Sequence, residues 1–463
     1  MNREKVMNLL KEYFDNGGYF KDLSRRISFE TESQNPKKIS RLEEYLTKEI
    51  LPYLSKLGFN CNIYENPDPQ FKGPFLFANR YENEKYPTVL IYGHGDVVQG
   101  DEKNWEMGLN PWKLTKIGNR LYGRGTADNK GQHTINFAAI KYVLKARKNK
   151  LGFNVKILVE TGEENGSPGL REFCKKNKKL LSADVLIASD GPRLNVDKPT
   201  IFLGSRGVFN FRMKVSLRKG AHHSGNWGGL LSNPGIILSH AISSIISSNG
   251  EIKVLGLKAG RIPMSVKKVL KKINLVNKKN DPKIDKNWGE KSFSSEEKVF
   301  ASNTLEVLSF TTGNPKNPVH AIPPDAVAVC HIRYVVPSDP KTFLNKIRRH
   351  LDKNGFNMIE LEPTRGFMSA TRLDPEHPWV KWSIKSLKRT SKKEIDILPN
   401  LGGTLPNDAF SDILNLPTIW IPHSYKSCLQ HAPNEHLLEN ITKSGLQLMG
   451  GLFWDLGEPG TPN

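Results

Sequence analysis

Four short apolar runs, residues 88–92, 155–159, 185–188 and 418–421, each stop just before side chains able to ligate a cation: His94 and Asp96, Glu163 and Glu164, Asp190, and His423. Runs of this length without polar alternation read as strands buried on both faces. Between the runs, residues 134–146 and 170–176 place apolar side chains at helical spacing. The stretch from 88 to 203 therefore alternates strand and helix, which predicts a largely parallel sheet with helices on its faces. Sites in such sheets gather beyond the carboxyl ends of the strands, so donors far apart in sequence are expected to converge in one crevice.

Residues 1–60 are predicted helical, and 35–57 repeat apolar residues at helical spacing (Ile39, Leu42, Tyr45, Leu46, Ile50, Leu51, Leu54). The pattern changes at Gly204-Ser-Arg-Gly207. Residues 208–217 then alternate in the manner of a half-buried antiparallel strand. A helix over 234–247, a lysine-rich and weakly patterned stretch over 251–297, a strand over 326–335 and a helix over 340–351 complete an α+β unit. Around 363–372 the chain returns to the first unit, where 380–389 and 434–453 read as helices flanking the 418–421 strand. The expected fold class is α/β. A catalytic domain (1–206 and 365–463), with a mostly parallel sheet flanked by helices, is interrupted by an inserted α+β domain (207–364).

Composition narrows the class. A chain of 463 residues exceeds the size at which one core keeps growing, in line with two domains. Hydrophobic residues at 37% and charged residues at 25% fit a globular chain with a solvated surface. No apolar stretch reaches the ~18 residues of a membrane span, and the start mixes charges into its apolar residues, so a cytoplasmic location is the expectation. Cys61, Cys174, Cys330 and Cys428 are too few and dispersed for a disulfide framework and are expected to be reduced. The net charge of +21 raises a basic nucleic-acid-binding protein as the rival outside the enzymes. The lysine clusters at 145–150, 175–179 and 267–279 lack the interleaved aromatics of a base-stacking surface, which favours a solvated basic surface.

The chemistry rests on a constellation. His94-Gly-Asp96 is followed by Gly123-Arg-Gly-Thr-Ala-Asp128-Asn-Lys-Gly131, by Glu163-Glu164, by Ser-Asp190-Gly and by His431-Ala-Pro-Asn-Glu-His436. Two histidines and several carboxylates without a nearby cysteine form the mixed nitrogen and oxygen set that zinc or its divalent neighbours accept. Adjacent glutamates repel unless a cation or proton separates their roles, so one can ligate while the other stays free. Glu160 is a rival for either role, although it still falls within the strand.

Those motifs, in that order and over nearly the full length, resemble the M20 family of metallopeptidases and amidohydrolases. That family includes carboxypeptidase G-type enzymes, aminoacylases, succinyl-diaminopimelate desuccinylase and carnosinase-like dipeptidases. The resemblance implies that His94 and Asp190 hold one metal, Glu164 and His431 the other, and that Asp128 bridges them through a cis peptide to Asn129. It also implies two divalent ions, with zinc ahead of cobalt or manganese. Asp96 would orient His94. Glu163 is expected to be the general base that takes a proton from a metal-bridging water and delivers it to the leaving nitrogen.

In the inserted domain, Gly220-Ala-His222-His223-Ser-Gly225 resembles the family's lid and dimerisation domain. There a histidine stabilises the oxyanion; His223 fits by position, with His222 the alternative. His320-Ala-Ile-Pro323 and Ile332-Arg333-Tyr-Val-Val-Pro337 match a substrate-contacting segment, in which Arg333 suits a carboxylate. His320 departs from the usual small polar residue there. Gly402-Gly403-Thr404 resembles the loop that receives the substrate carboxylate. The function implied is hydrolysis of a peptide or amide bond in a small carboxylate-bearing substrate by a dipeptidase or carboxypeptidase, an N-acyl-amino-acid deacylase being the alternative. A homodimer without membrane association is the implied assembly.

Overall fold

The computed structural model describes residues 2–275, 282–364 and 366–462. The chain forms two compact units. One comprises Met1–Gly204, Leu373–Leu398 and Pro406–Asn463, the other Ser205–Arg372 and Pro399–Leu405.

In the first unit the four apolar runs lie side by side. Asn154–Glu160, Thr88–His94, Val185–Ala188 and Thr418–Trp420 are consecutive parallel strands of an eight-stranded sheet. Phe75–Arg80 and Asn60–Tyr64 extend one edge antiparallel, and Thr200–Phe202 with Asp396–Leu398 extends the other. The central strands are mostly apolar because both faces are covered: Val89, Leu90, Ile91, Leu186 and Ile187 are all buried. Helices Arg3–Asp15, Gly18–Ile27, Lys130–Ala146, Pro378–Ser391 and Glu439–Leu456 share one core with the sheet.

Residues 36–56 run as successive helical turns that bury Leu42, Tyr45, Leu46, Ile50 and Leu54. The Tyr45 ring fills the space beside Gly95, where a Cβ would come within 2.6 Å of it, so the position after His94 must lack a side chain. One expected helix begins later than its pattern suggests. Residues His436–Leu438 form a strand paired with Arg120–Tyr122, and the helix starts at Glu439. Backbone groups there are satisfied by the neighbouring strand, an interaction that local spacing does not reveal.

The second unit holds an antiparallel sheet in the order Thr304–Thr312, Asp325–Tyr334, Gly207–Ser216, Glu360–Pro363. Helices Pro234–Ile245 and Phe343–Lys353 share a core with it. Asp325–Tyr334 shows the alternation of a one-sided strand, with Ala326, Ala328, Cys330, Ile332 and Tyr334 facing that core. Thr304–Thr312 is an edge strand, and its Val307, Leu308 and Phe310 are 42–54% exposed. The lysine-rich stretch contributes the short helices Met264–Leu270 and Ser295–Phe300; its residues 276–281, like residue 365 at the expected return to the first unit, lie outside the described residues. Most of the +21 surplus belongs to the sequence of this second unit. All four cysteines are free. Among the described residues no helix is long and apolar enough to cross a membrane.

Candidate metal centre

His94 closes the strand Thr88–His94, and Asp190 lies two residues past Val185–Ala188. Glu163 and Glu164 open a single 3-10 turn, Glu163–Asn165, just beyond Asn154–Glu160. These three segments leave the sheet from adjacent parallel strands, which is why donors about a hundred residues apart become neighbours. Asp128 sits in the loop before Lys130–Ala146, and its peptide bond to Asn129 is cis. His431 arrives from the loop before His436–Leu438.

The donors form two groups that share Asp128: His94 with Asp128 and Asp190, and Asp128 with Glu164 and His431. His94 Nε2 lies 2.8 Å from Asp128 Oδ1 and 3.5 Å from Asp190 Oδ2. His431 Nε2 lies 3.0 Å from Asp128 Oδ2 and 3.1 Å from Glu164 Oε2. Each histidine thus faces a different oxygen of Asp128. Nδ1 of His94 is occupied on its far side, 3.1 Å from the Asp96 carbonyl and 3.4 Å from its carboxylate, so Nε2 is the nitrogen presented to the cluster.

The electrostatics fit divalent cations. Burial, followed by the charge of Asp128, pushes Glu164 up to about 7, and the same causes raise Asp190. Burial is also the largest influence on Glu163, with Glu164, Asp190 and Asp128 adding to the rise. Burial opposes ionisation of Asp128, but hydrogen bonds with His431 and His94 outweigh it and hold the carboxyl below its usual range. Hydrogen bonds to Asp128 and Glu164 raise His431 to about 11. Several buried carboxylates that converge on two imidazoles suit divalent cations, whose charge would favour the ionised carboxylates. Glu164 Oε1 is buried and has no hydrogen-bond partner, leaving a donor atom free for a ligand.

Two nearby groups from the strand ends stay out of the cluster. Glu160 turns inward, where the Tyr92 hydroxyl donates to its carboxylate at 2.6 Å and Ser167 Oγ at 3.0 Å, and burial pushes it up to about 7. His423, at the end of the fourth apolar run, is wholly buried beside Arg193. The remaining candidates belong to the second unit. His223 and His320 are neighbours there because His222–His223 pairs with Ala321–Ile322. Arg333 lies on Asp325–Tyr334 with its Nη1 buried and unpartnered, and Gly403 accepts from the Arg206 backbone N–H at 3.2 Å. Thr404 lies in the same loop.

Sequence reasoning passed over Gln430, whose amide donates to Asp128 Oδ2, and Glu435, which grips the Asp128 loop. Both flank His431. Their signal was polarity close to a candidate ligand, which a pattern of ligand types alone does not register. It also missed His133, 2.7 Å from the Tyr45 hydroxyl and 3.2 Å from the Asn129 amide oxygen, beneath the cluster.

A mostly parallel sheet whose carboxyl ends carry a shared-aspartate donor set, together with a separate antiparallel unit, defines the architecture of a metal-dependent hydrolase. The model of peptidase family M20/M25/M40 matches residues 90–455, and the chain belongs to that family. It is an M20 metallopeptidase. It is 25% identical to the Beta-Ala-His dipeptidase of Mus musculus, with 98% of this chain and 96% of the relative covered. Among solved structures, an M20 family metallo-carboxypeptidase from Sulfolobus solfataricus superposes with a TM-score of 0.79 at 26% identity, covering 95% of this chain and 99% of the other. Human carnosine dipeptidase 1 shares the fold with a TM-score of 0.76 at 23% identity, covering 98% of each chain.

Proposed function

We propose that this protein is a dinuclear-metal dipeptidase that cleaves the peptide bond of a small substrate with a free carboxylate. The observation that carries the reading is the sharing of Asp128 between two three-residue donor groups. His94 and Asp190 would hold one ion and Glu164 and His431 the other, zinc suiting a set of two imidazoles and three carboxylates. Bound in this way, divalent ions lower the pKa of water and polarise the scissile carbonyl. The similarity to Beta-Ala-His dipeptidase over nearly the whole of both chains favours a dipeptide over an N-acyl amino acid.

Glu163 is the proposed general base. Its neighbour Glu164 is committed to His431, whereas Glu163 lies within the field of the same carboxylates, and burial raises it well above the usual carboxylate range. It takes a proton from the attacking water and returns it to the leaving nitrogen. In the second unit, His223 is assigned to the oxyanion, and Arg333 with the Gly403-Thr404 backbone to the substrate carboxylate. The resemblance alone carries these assignments, and His320, beside His223, has no assigned role.

We also propose a homodimer. Among the described residues the edge strand Thr304–Thr312 pairs within its sheet with Asp325–Tyr334 alone, and Val307, Leu308 and Phe310 are exposed on it, a surface that a second copy would cover.

The test is turnover of metal-depleted protein reconstituted separately with zinc, cobalt and manganese, on a panel of dipeptides and N-acyl amino acids. Dipeptide cleavage that returns with two equivalents of metal is expected. Cleavage confined to N-acyl amino acids would replace this reading with the deacylase, and metal-loaded protein inert on the whole panel would refute both.

A further inference from the structure

Glu435 follows His431 by four residues and is buried to 1% exposure. Four donors converge on its carboxylate: Arg124 Nη1 at 2.9 Å and the backbone N–H groups of Gly125 at 3.0 Å, Ala127 at 2.8 Å and Asp128 at 3.1 Å. Its own carbonyl accepts the Gly123 N–H at 3.0 Å. Gly125 has a φ of +86°, a conformation that costs glycine little and that wraps this segment around the carboxylate. Immediately afterwards His436–Leu438 pairs with Arg120–Tyr122, so one residue fastens the segment carrying Asp128 to the segment carrying His431.

A carboxylate offers about four lone-pair positions, and four donors use them, so Glu435 has no capacity left to ligate a cation. We propose that Glu435 is a positioning residue that fixes the Asp128 carboxylate and the His431 imidazole in a common register, presetting the cage before metal arrives. The inference rests on the metal-ligand reading above and adds to it the group that holds two of the five ligands in place. Neighbours that orient ligands in this way typically cost 10–100-fold in metal affinity or activity when removed.

The test uses the full-length protein and the variants Glu435→Gln and Glu435→Asp. Zinc affinity is read by chelator competition, kcat and KM after saturation with zinc, and amide hydrogen exchange in the metal-free state. The glutamine cannot accept at both ends, so zinc affinity at one or both sites should weaken about 10–100-fold. The amides of Gly125, Ala127 and Asp128 should exchange faster, kcat should fall, and KM should stay within threefold. The aspartate keeps the charge one methylene short of its donors and should fall between the variant and the parent.

Parent-like zinc affinity and exchange in both variants would overturn the proposal. So would a change confined to KM, which would mean substrate contact, or failure of both variants to fold, which would make Glu435 a general stability element. A parent protein that binds no zinc would count against the metal-ligand reading instead, and the exchange rates would still report whether Glu435 organises the Asp128 loop.

Discussion

The Asp96 carboxylate accepts the backbone N–H of Glu163 at 3.2 Å and, through its other oxygen, that of Glu164 at 3.1 Å. The same residue lies against Nδ1 of His94. Asp96 therefore ties an imidazole at the end of one strand to the glutamate turn at the end of the next, and serves more than the orientation of His94 expected from sequence. These N–H groups are partly buried, and a fully buried N–H left without an acceptor costs about 1–3 kcal/mol, so losing both acceptors would loosen the turn. Asp96→Ala is expected to weaken metal affinity about 10–100-fold and to lower kcat even when metal is saturating. Chelator competition and saturated turnover measure the two effects separately, and loss of metal affinity with full kcat on reloading would limit Asp96 to holding His94.

Glu163 and Glu164 are adjacent but differently committed. Glu164 contacts His431 at 3.1 Å, while Glu163 belongs to neither donor group. Glu163→Gln should therefore retain two metal ions and lose about 10²–10⁴-fold in kcat, the usual worth of a positioned acid or base. Glu164→Gln should lose metal instead. Elemental analysis after gel filtration, alongside turnover, distinguishes the variants; metal loss from Glu163→Gln would reverse the roles proposed for the pair.

Much of this arrangement is legible in the amino-acid sequence. Apolar runs such as 88–92 and 185–188 read as strands covered on both faces, and in a parallel sheet the residues after them emerge at one edge. His423 shows the limit of that logic. It follows a strand in the same sheet, yet its ring is packed into the core beside Arg193 and Gly445. Glu160, a rival by sequence although within the strand, is claimed instead by Tyr92 and Ser167. The strand His436–Leu438 was hidden for a related reason, because its partner Arg120–Tyr122 lies more than three hundred residues earlier and leaves no trace in local spacing.

The edge strand Thr304–Thr312 bears on assembly. Proteins blunt such edges with charge, proline or a covering element, and a long apolar edge left open invites pairing with another chain. If a second copy covers it, Val307→Lys and Phe310→Lys should convert a dimer to a monomer in analytical ultracentrifugation, with the far-ultraviolet circular dichroism unchanged. A wild-type chain that sediments as a monomer at tens of micromolar would remove the proposal altogether.

His423 makes a prediction about acid stability. Burial, reinforced by the Arg193 charge, holds its pKa well below the ordinary value, so the folded protein keeps the ring neutral while the unfolded chain takes a proton below about 6.5. The unfolded state then binds more protons, and stability falls as pH drops through that value by about 1.4 kcal/mol per pH unit for one such histidine. His133, also buried and lowered, acts in the same sense, whereas His94 and His431, raised in the metal-free protein, act in the opposite one. The whole-protein profile mixes these terms, and a comparison with His423→Gln isolates one of them. The variant should lose stability at pH 7.5, and its deficit should shrink as pH falls from 6.5 to 5, because the parent alone pays to keep that ring unprotonated. A deficit in the thermal midpoint that stays constant over this range would mean that His423 can take up a proton in the folded state, through its unpartnered Nε2.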